Sequence, residues 1–210
     1  MEITEGISEI VGVLIGDGYI YMKNKKYQIG FVGNPRTDRE MFENLKELIF
    51  KEWNKKTEIK LRERGLRLVF NSKEICLFLT ENLGIPFGEG KCERVFIPKI
   101  IFDNWDLTKY AIRGIMDSDG SVFVSRKPGI EKYPSMEITT TSLRLANQLR
   151  EILIEKGFRV ANIRSALSKT SKRIAYRVCL HGKENIRKWI NEIGFSNPYK
   201  LQRAIECIKN

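Results

Sequence analysis

Apolar residues recur at two different periods along this chain, and the changes of period divide it. Residues 3–17 form an apolar run suited to a helix, closed by Asp17-Gly18 with glycine as the stop. Tyr19-Ile20-Tyr21-Met22-Lys23 then alternates, Asn24-Lys25-Lys26 turns, and Tyr27-Gln28-Ile29-Gly30-Phe31-Val32 returns, which predicts a β-hairpin. Thr37 or Asp38 caps a helix to about Asn54, with Met41, Phe42, Leu45, Leu48, Ile49 and Trp53 at helical spacing. A second hairpin joins residues 57–62 to 66–70 around Arg64-Gly65. Ser72 caps a helix that runs through Leu83 to the stop at Gly84. The following stretch carries Pro86, Gly88, Gly90 and Pro98 and reads as a linker.

The same order then recurs. A helix is expected over residues 107–119. Strands at 121–125 and 135–140 flank a loop with Pro128, Gly129 and Pro134. A helix over 142–156 stops at Gly157. Strands at 158–165 and 175–180 flank the basic loop 168–173. Helices at 184–193 and 199–208 follow, separated by Gly194-Phe195-Ser196-Asn197-Pro198. The expected class is α+β, with the unit αββαββα written twice: a first copy at 1–84, a linker at 85–104 and a second copy at 105–210.

Two stretches mark the repeat most sharply. Ile112-Arg113-Gly114-Ile115-Met116-Asp117-Ser118-Asp119-Gly120 matches Ile10-Val11-Gly12-Val13-Leu14-Ile15-Gly16-Asp17-Gly18, about half a chain away. Both read apolar-x-Gly-apolar-apolar-x-small-Asp-Gly. The inner glycine of each lets another backbone approach closely. Two such helices side by side would bring Asp17 and Asp119 together. The carboxylates would then repel unless a proton or a cation intervened. A hard divalent cation with oxygen ligands, Mg²⁺, suits them.

Composition narrows the partner. The 210 residues are 42% hydrophobic, enough for a buried core. Thirty-seven Lys and Arg against 26 Asp and Glu give +11 and a pI near 9.5, which points to a polyanion, nucleic acid first. Cys76, Cys92, Cys179 and Cys207 form no CxxC pair, and His181 is the single histidine, so zinc is not indicated. Isolated cysteines in apolar runs fit a reducing compartment. No signal peptide or apolar run of about 18 residues occurs. The expectation is an intracellular protein off the membrane, cytoplasmic, or organellar in a eukaryote. Trp53, Trp105 and Trp189 read as packing residues at helix ends or in the linker, and His181 as a surface or turn residue.

On the two motifs, their spacing and the order of elements after each, the chain resembles single-chain LAGLIDADG homing endonucleases. Phe96-Ile97-Pro98-Lys99 before the second motif and Gly194-Phe195-Ser196-Asn197-Pro198 near the end add to the likeness. The resemblance implies two pseudo-symmetric halves packed through the motif helices, each laying a curved antiparallel sheet along the DNA major groove. It implies divalent metal on Asp17 and Asp119, with the carbonyls of Gly16 and Ser118 completing the shell. It implies Mg²⁺ as the cofactor, with Mn²⁺ or Ca²⁺ substituting for binding, and cleavage of both strands across the minor groove. Asp117 fills an earlier acid slot where the first copy has Ile15, and that asymmetry marks it as a structural residue or a cap. The family also places glutamine or lysine near the metals. The glutamine slot falls near Asn34 and Thr140, and the lysine slot near Arg62 or Arg64 and near Lys172 or Arg173.

Strand alternation supplies a DNA-reading face. Tyr19, Tyr21, Lys23 and Lys25 share a side, joined by Gln28, and Lys60, Arg62, Arg64 and Arg67 are placed similarly. The second copy offers Ser125, Arg126, Lys127, Lys132, Arg159, Arg164, Lys169, Lys172, Arg173 and Arg177. Such side chains suit base edges and phosphates, and a two-stranded ribbon fits the groove. The expected function is site-specific cleavage of double-stranded DNA by a monomer with internal pseudo-two-fold symmetry. The alternative on the same fold is an intron RNA maturase, with intron RNA as partner, or a DNA-binding regulator that does not cut. The chain opens at Met1 without a nucleophile-led splicing block and ends Cys207-Ile208-Lys209-Asn210 without a His-Asn pair, so a free-standing enzyme is expected over a domain cut from an intein.

Overall fold

A computed structural model describes residues 1–62, 65–167 and 172–209. Arg64 and Lys169, both named above as DNA contacts, lie outside the described residues. Helix α1 (Glu5–Gly16) starts at Thr4, whose hydroxyl accepts the Ile7 N–H, and closes on Asp17. Strands β1 (Gly18–Lys23) and β2 (Lys26–Gly33) turn through Asn24 and Lys25, both at positive φ. Helix α2 (Arg39–Trp53) leads to β3 (Ile59–Arg62) and β4 (Gly65–Asn71). The antiparallel sheet has the order β1-β2-β4-β3. Helix α6 (Trp105–Asp119), β5 (Gly120–Lys127), β6 (Ile130–Thr140), α7 (Leu143–Glu155), β7 (Arg164–Leu167) and β8 (Ile174–His181) repeat the plan, in the order β5-β6-β8-β7. Helices α8 (Lys183–Glu192) and α9 (Pro198–Lys209) complete the chain.

Each sheet buries one face and leaves the other open. Ile29, Phe31, Leu66 and Leu68 meet Met41, Phe42, Leu45 and Ile49 of α2 in the first half. Met136, Ile138, Val178 and Leu180 meet Leu145, Leu149, Ile186 and Trp189 in the second. Between the halves run α1 and α6, which make the most extensive helix–helix contact. Every residue of α1 from Ile7 to Ile15 is buried, as a helix enclosed on all sides must be. Among the described residues no helix is long and apolar enough to cross a membrane.

The structure departs from the sequence reading in four places. The strand expected at 158–165 begins only at Arg164, with Val160 making an isolated bridge to Leu180. Asn185 takes both the N–H and the C=O of Arg159 with its side chain, so Arg159 is satisfied outside a ladder, and only the bridge and the bond from the Ala161 N–H to the Cys179 carbonyl reach β8 before Arg164. Conversely, β6 starts at Ile130 and carries Pro134 inside it, so only a short turn at Pro128-Gly129 separates it from β5. The helix after Ser72 is α3 (Lys73–Leu77) followed by a π-helical turn, Phe78–Asn82. The linker contains α4 (Lys91–Arg94) and α5 (Lys99–Phe102) and is laced to the second half. Gln148 bonds the N–H and C=O of Ile97, and Ser142 bonds the Val95 carbonyl.

Candidate active site

The seam between α1 and α6 is a backbone contact made possible by glycine. A Cβ on Gly12 would overlap the Ala111 carbonyl, and one on Gly114 would overlap the carbonyl of Glu9. At the far end a Cβ on Gly16 would overlap Ser118 Oγ and stand 3.2 Å from Asp119 Oδ2. The two motif ends therefore lie against each other, with Asp17 as the C-cap of α1 and Asp119 as the last residue of α6.

Two lysines that sequence reasoning did not single out occupy the same end. Lys91 Nζ donates to the carbonyls of Leu14, Ile15 and Gly18, at 2.5, 3.1 and 2.7 Å. Lys200 Nζ donates to those of Met116, Asp117 and Ser118, at 2.8, 2.7 and 3.0 Å. Each ammonium thus closes the C-terminal end of one motif helix, where carbonyls lack intrahelical partners. A signal was present in the sequence. Lys91 and Lys200 follow the helix-stopping glycines Gly84 and Gly194 at nearly equal distance, and both glycines have positive φ.

Acids and lysines shift one another. Asp119 is exposed at the end of α6, yet desolvation by the protein around its carboxyl, then repulsion from Asp17, raise it to about 7 against the pull of Lys91 and Lys200. Asp17 is raised by burial and by Asp38, with Lys200 and Lys91 opposing. Both carboxyls are raised, and the two titrate together as a pair that holds a proton more tightly than a free carboxyl does. Burial lowers Lys91 to about 8 although Asp119 and Asp17 hold it up, and burial lowers Lys200 in the same way.

Asp117 serves a different purpose. It is 1% exposed, and its Oδ2 accepts the N–H groups of Ser196 and Asn197 at 2.7 and 3.2 Å. Burial raises it to about 7. It ties the segment that carries Lys200 to α6.

The residues expected near the metals separate. Asn34 is exposed, and its side chain accepts the Arg36 N–H in a turn. Thr140 is buried and accepts the Ser142 N–H, but it lines a cavity of about 210 Å³ with Gly16, Asp119 and Arg173. Arg173 bonds Glu93 and Cys92 of α4. Lys172 is exposed in the turn before β8, and Arg62 ends β3 on the open face of the first sheet.

Register defines the open faces. Tyr21 pairs with Gln28, and Lys60 with Arg67, so Tyr19, Tyr21, Lys23, Gln28, Lys60, Arg62 and Arg67 share one side. A groove of about 530 Å³ runs past Tyr19, Gln28, Lys60, Arg62 and Arg67. Lys25 sits in the hairpin turn instead. In the second half Ser125 pairs with Tyr133, Lys127 Nζ stands 3.7 Å from the centre of the Tyr133 ring, and Arg164 pairs with Arg177, which lies 3.8 Å from Glu137. Arg126 and Lys132 fall where the β5–β6 register shifts, so alternation does not assign them. Arg159 lies on the connection between α7 and β7. His181 is at the end of β8 with Nδ1 2.9 Å from Ser135 Oγ, and Trp189 is fully buried inside α8.

The family described as "LAGLIDADG-like domain" matches residues 106–194. Replication factor C small subunit of Methanocaldococcus jannaschii is 31% identical over 98% of this chain, which covers 10% of that protein. The tRNA-splicing ligase RtcB of Pyrococcus furiosus is 24% identical over 95% of this chain and 22% of its own length. The chain therefore spans no more than about a quarter of these relatives. Among solved structures, I-DmoI in complex with DNA and Ca superimposes with a TM-score of 0.63 at 17% identity, covering 96% of this chain and 97% of that one. The N-terminal LAGLIDADG domain of DUF199/WhiA gives 0.56 at 18% identity, covering 90% of this chain and 82% of that one.

Proposed function

The chain belongs to the LAGLIDADG family, and on that premise we propose that it is a site-specific, divalent-metal-dependent endonuclease that cuts both strands of DNA. One observation carries the reading: two carboxylates at matched ends of helices in backbone contact, each beside a half-buried lysine. I-DmoI is the same fold in complex with DNA and a divalent ion. The names of the longer relatives do not transfer. A replication factor and an RNA ligase match the same stretch over nearly its whole length, which fits a self-contained module rather than either activity.

The donor set fits a hard cation. Among the described residues no three His, Cys, Asp or Glu are grouped to hold a metal. Asp17 and Asp119 would hold it with the Gly16 and Ser118 carbonyls, leaving positions for water and a substrate phosphate, as Mg²⁺ prefers. The Ser118 carbonyl accepts Lys200, but its second lone pair is free to ligate. A divalent cation there would supply Lewis-acid stabilisation of charge developing on the scissile phosphate. Lys91 and Lys200 add fixed positive charge at the same place. Lys91, lowered to about 8, can also exchange a proton with a nearby oxygen near neutral pH. The cations of the open sheet faces bind the duplex backbone, and Gln28, Arg62 and Arg67 suit base edges.

A plasmid library of randomised sites, incubated with the protein and Mg²⁺, tests this. Linearisation of a small subset of plasmids is expected. No cleavage, with tight binding to structured RNA, would favour the maturase. WhiA also carries a LAGLIDADG domain, and binding to DNA without any cut would favour a regulator.

The raised pKa of Asp119 gives a second test. The folded state keeps this proton between about pH 4, where a free carboxyl releases it, and about 7. Folded protein thus binds more protons than unfolded protein in that window, and the group's contribution to stability falls as pH rises through it. A cation must displace the proton, so binding strengthens above pH 7. Loss of charge from Lys91 near 8 works in the same direction. Saturating Mg²⁺ should raise the melting temperature by a few degrees at pH 8 and by much less at pH 6. Equal shifts at both would count against Asp119 as a ligand.

A further inference from the structure

The two lysines are fastened crosswise. Lys200 lies near the end of the second half, and the segment carrying it is held by both halves: Asp117 of α6 takes the Ser196 and Asn197 N–H groups, and two further bonds reach the first half. Asn197 Nδ2 donates to Asp38 Oδ1 at 3.2 Å, and Asn44 Nδ2 donates to the Ser196 carbonyl at 3.0 Å. Asn197 is fully buried, and Asp38 is nearly so. The other oxygen of Asp38 accepts the Asn34 N–H at 2.7 Å, which fixes its carboxylate within the first half. Asn197 Oδ1 accepts the Tyr199 N–H, so one side chain both starts α9 and bridges to the opposite half.

Lys91 shows the mirror arrangement. It follows the first half and reaches back to it through its own Nζ, but the helix that carries it, α4, is also held by the second. Arg173 Nε lies 2.6 Å from Glu93 Oε1, and Arg173 Nη1 donates to Cys92 Sγ at 2.9 Å. Thr141 Oγ1 donates to the Cys92 carbonyl at 2.9 Å. Helix α4 has four residues, none buried, and follows Gly90 at positive φ. It has little packing of its own, so these bonds set where it stands, together with those of Lys91 to the first half and of Arg94 to the Phe87, Glu89 and Gly90 carbonyls. An exposed ion pair adds little to overall stability, yet it is enough to aim a single helical turn.

We propose that Asp38 and Arg173 are positioning residues, each placing the lysine that follows the other half, so that only the docked pair of halves assembles both lysines. This rests on the reading of Lys91 and Lys200 as active-site groups. The two braces differ in kind: the one on Lys200 is buried, and the one on Lys91 is exposed to salt. Each should govern a different DNA strand, because each lysine serves a different motif helix.

Two variants separate bracing from folding. Asn197→Asp keeps the acceptor for the Tyr199 N–H but sets a carboxylate against Asp38. Arg173→Glu sets like charges on α4, and the swap Glu93→Arg with Arg173→Glu restores the pair. The full-length chain, without metal or DNA, is treated with acetic anhydride at fixed pH, and acetylation of each lysine is read by peptide mass spectrometry. Asn197→Asp should raise labelling of Lys200 about tenfold and leave Lys91 unchanged. Arg173→Glu should do the reverse, and the swap should return Lys91 to the wild-type rate. If Asn197→Asp does not fold, Asn44→Ala, at an exposed position, should give a smaller rise at Lys200 alone. On a duplex recovered from the plasmid library with its strands labelled separately, each variant should slow one strand by about 100-fold and accumulate nicked product. Equal labelling changes at both lysines, no change at either, or slowing without strand bias would overturn the proposal. A wild-type chain with the crossed labelling pattern that cuts no DNA would overturn the nuclease reading and leave the crossed placement supported.

Discussion

Replacing Asp17 or Asp119 by asparagine should lower double-strand cleavage by about 1,000-fold and leave DNA affinity nearly unchanged. The substitution keeps shape and removes only the anionic ligand. Both acids stand at helix ends in a site already crowded with like charge, where burial raises each of them and Asp17 raises Asp119 further. Asparagine relieves that cost, so the melting temperature should stay level or rise. Activity and stability then move in opposite directions, which a folding defect cannot produce. Single-turnover rates on a selected site, set beside melting curves, give the comparison. A fully active Asp119→Asn enzyme would sink the metal assignment.

The seam should be even less forgiving. Alanine at Gly12 or Gly114 should cost about 3 kcal/mol of stability and cleavage as well. The added carbon meets backbone, the Ala111 carbonyl in one case and the Glu9 carbonyl and Val13 nitrogen in the other. A side chain could swing aside, but a helix must move as a whole. That movement parts Asp17 from Asp119, and a displacement of about 1 Å at a reacting centre can cost about 100-fold in rate. Alanine at Gly129, a turn glycine at positive φ with open space around it, is the control and should cost about 1 kcal/mol. Urea denaturation of the three variants tests the ordering. Seam variants no less stable than Gly129→Ala would mean the helices do not cross as closely as described.

Much of this architecture is written in local pattern. The period-two runs around Asn24-Lys25 and the capped stripe from Met41 to Trp53 predict β1, β2 and α2 nearly to the residue, because each buries its apolar face against something nearby. The reading fails where a distant side chain decides. Asn185 takes the backbone of Arg159 where the sequence predicts a strand, and nothing near Arg159 announces this. Arg173 looks like a free cation in a basic loop until Glu93, far away in sequence, is seen beside it. The acids were legible because they end a repeated motif. The lysines left only a faint trace, their matched spacing after Gly84 and Gly194, since long basic side chains are common and the fold alone shows that Lys91 and Lys200 reach into helix ends.

The caps made by those lysines have an electrostatic consequence. Peptide dipoles add along a helix, leaving partial negative charge at its C-terminal end. Helices α1 and α6 direct these ends, and two carboxylates, at one point. For a polyanion this would be a repellent spot on a molecule of net charge +11. Three hydrogen bonds from an ammonium at each end cancel much of the helical share of that repulsion before substrate or cation arrives. Lys91 and Lys200 thus turn an acidic junction into one that a polyanion can approach.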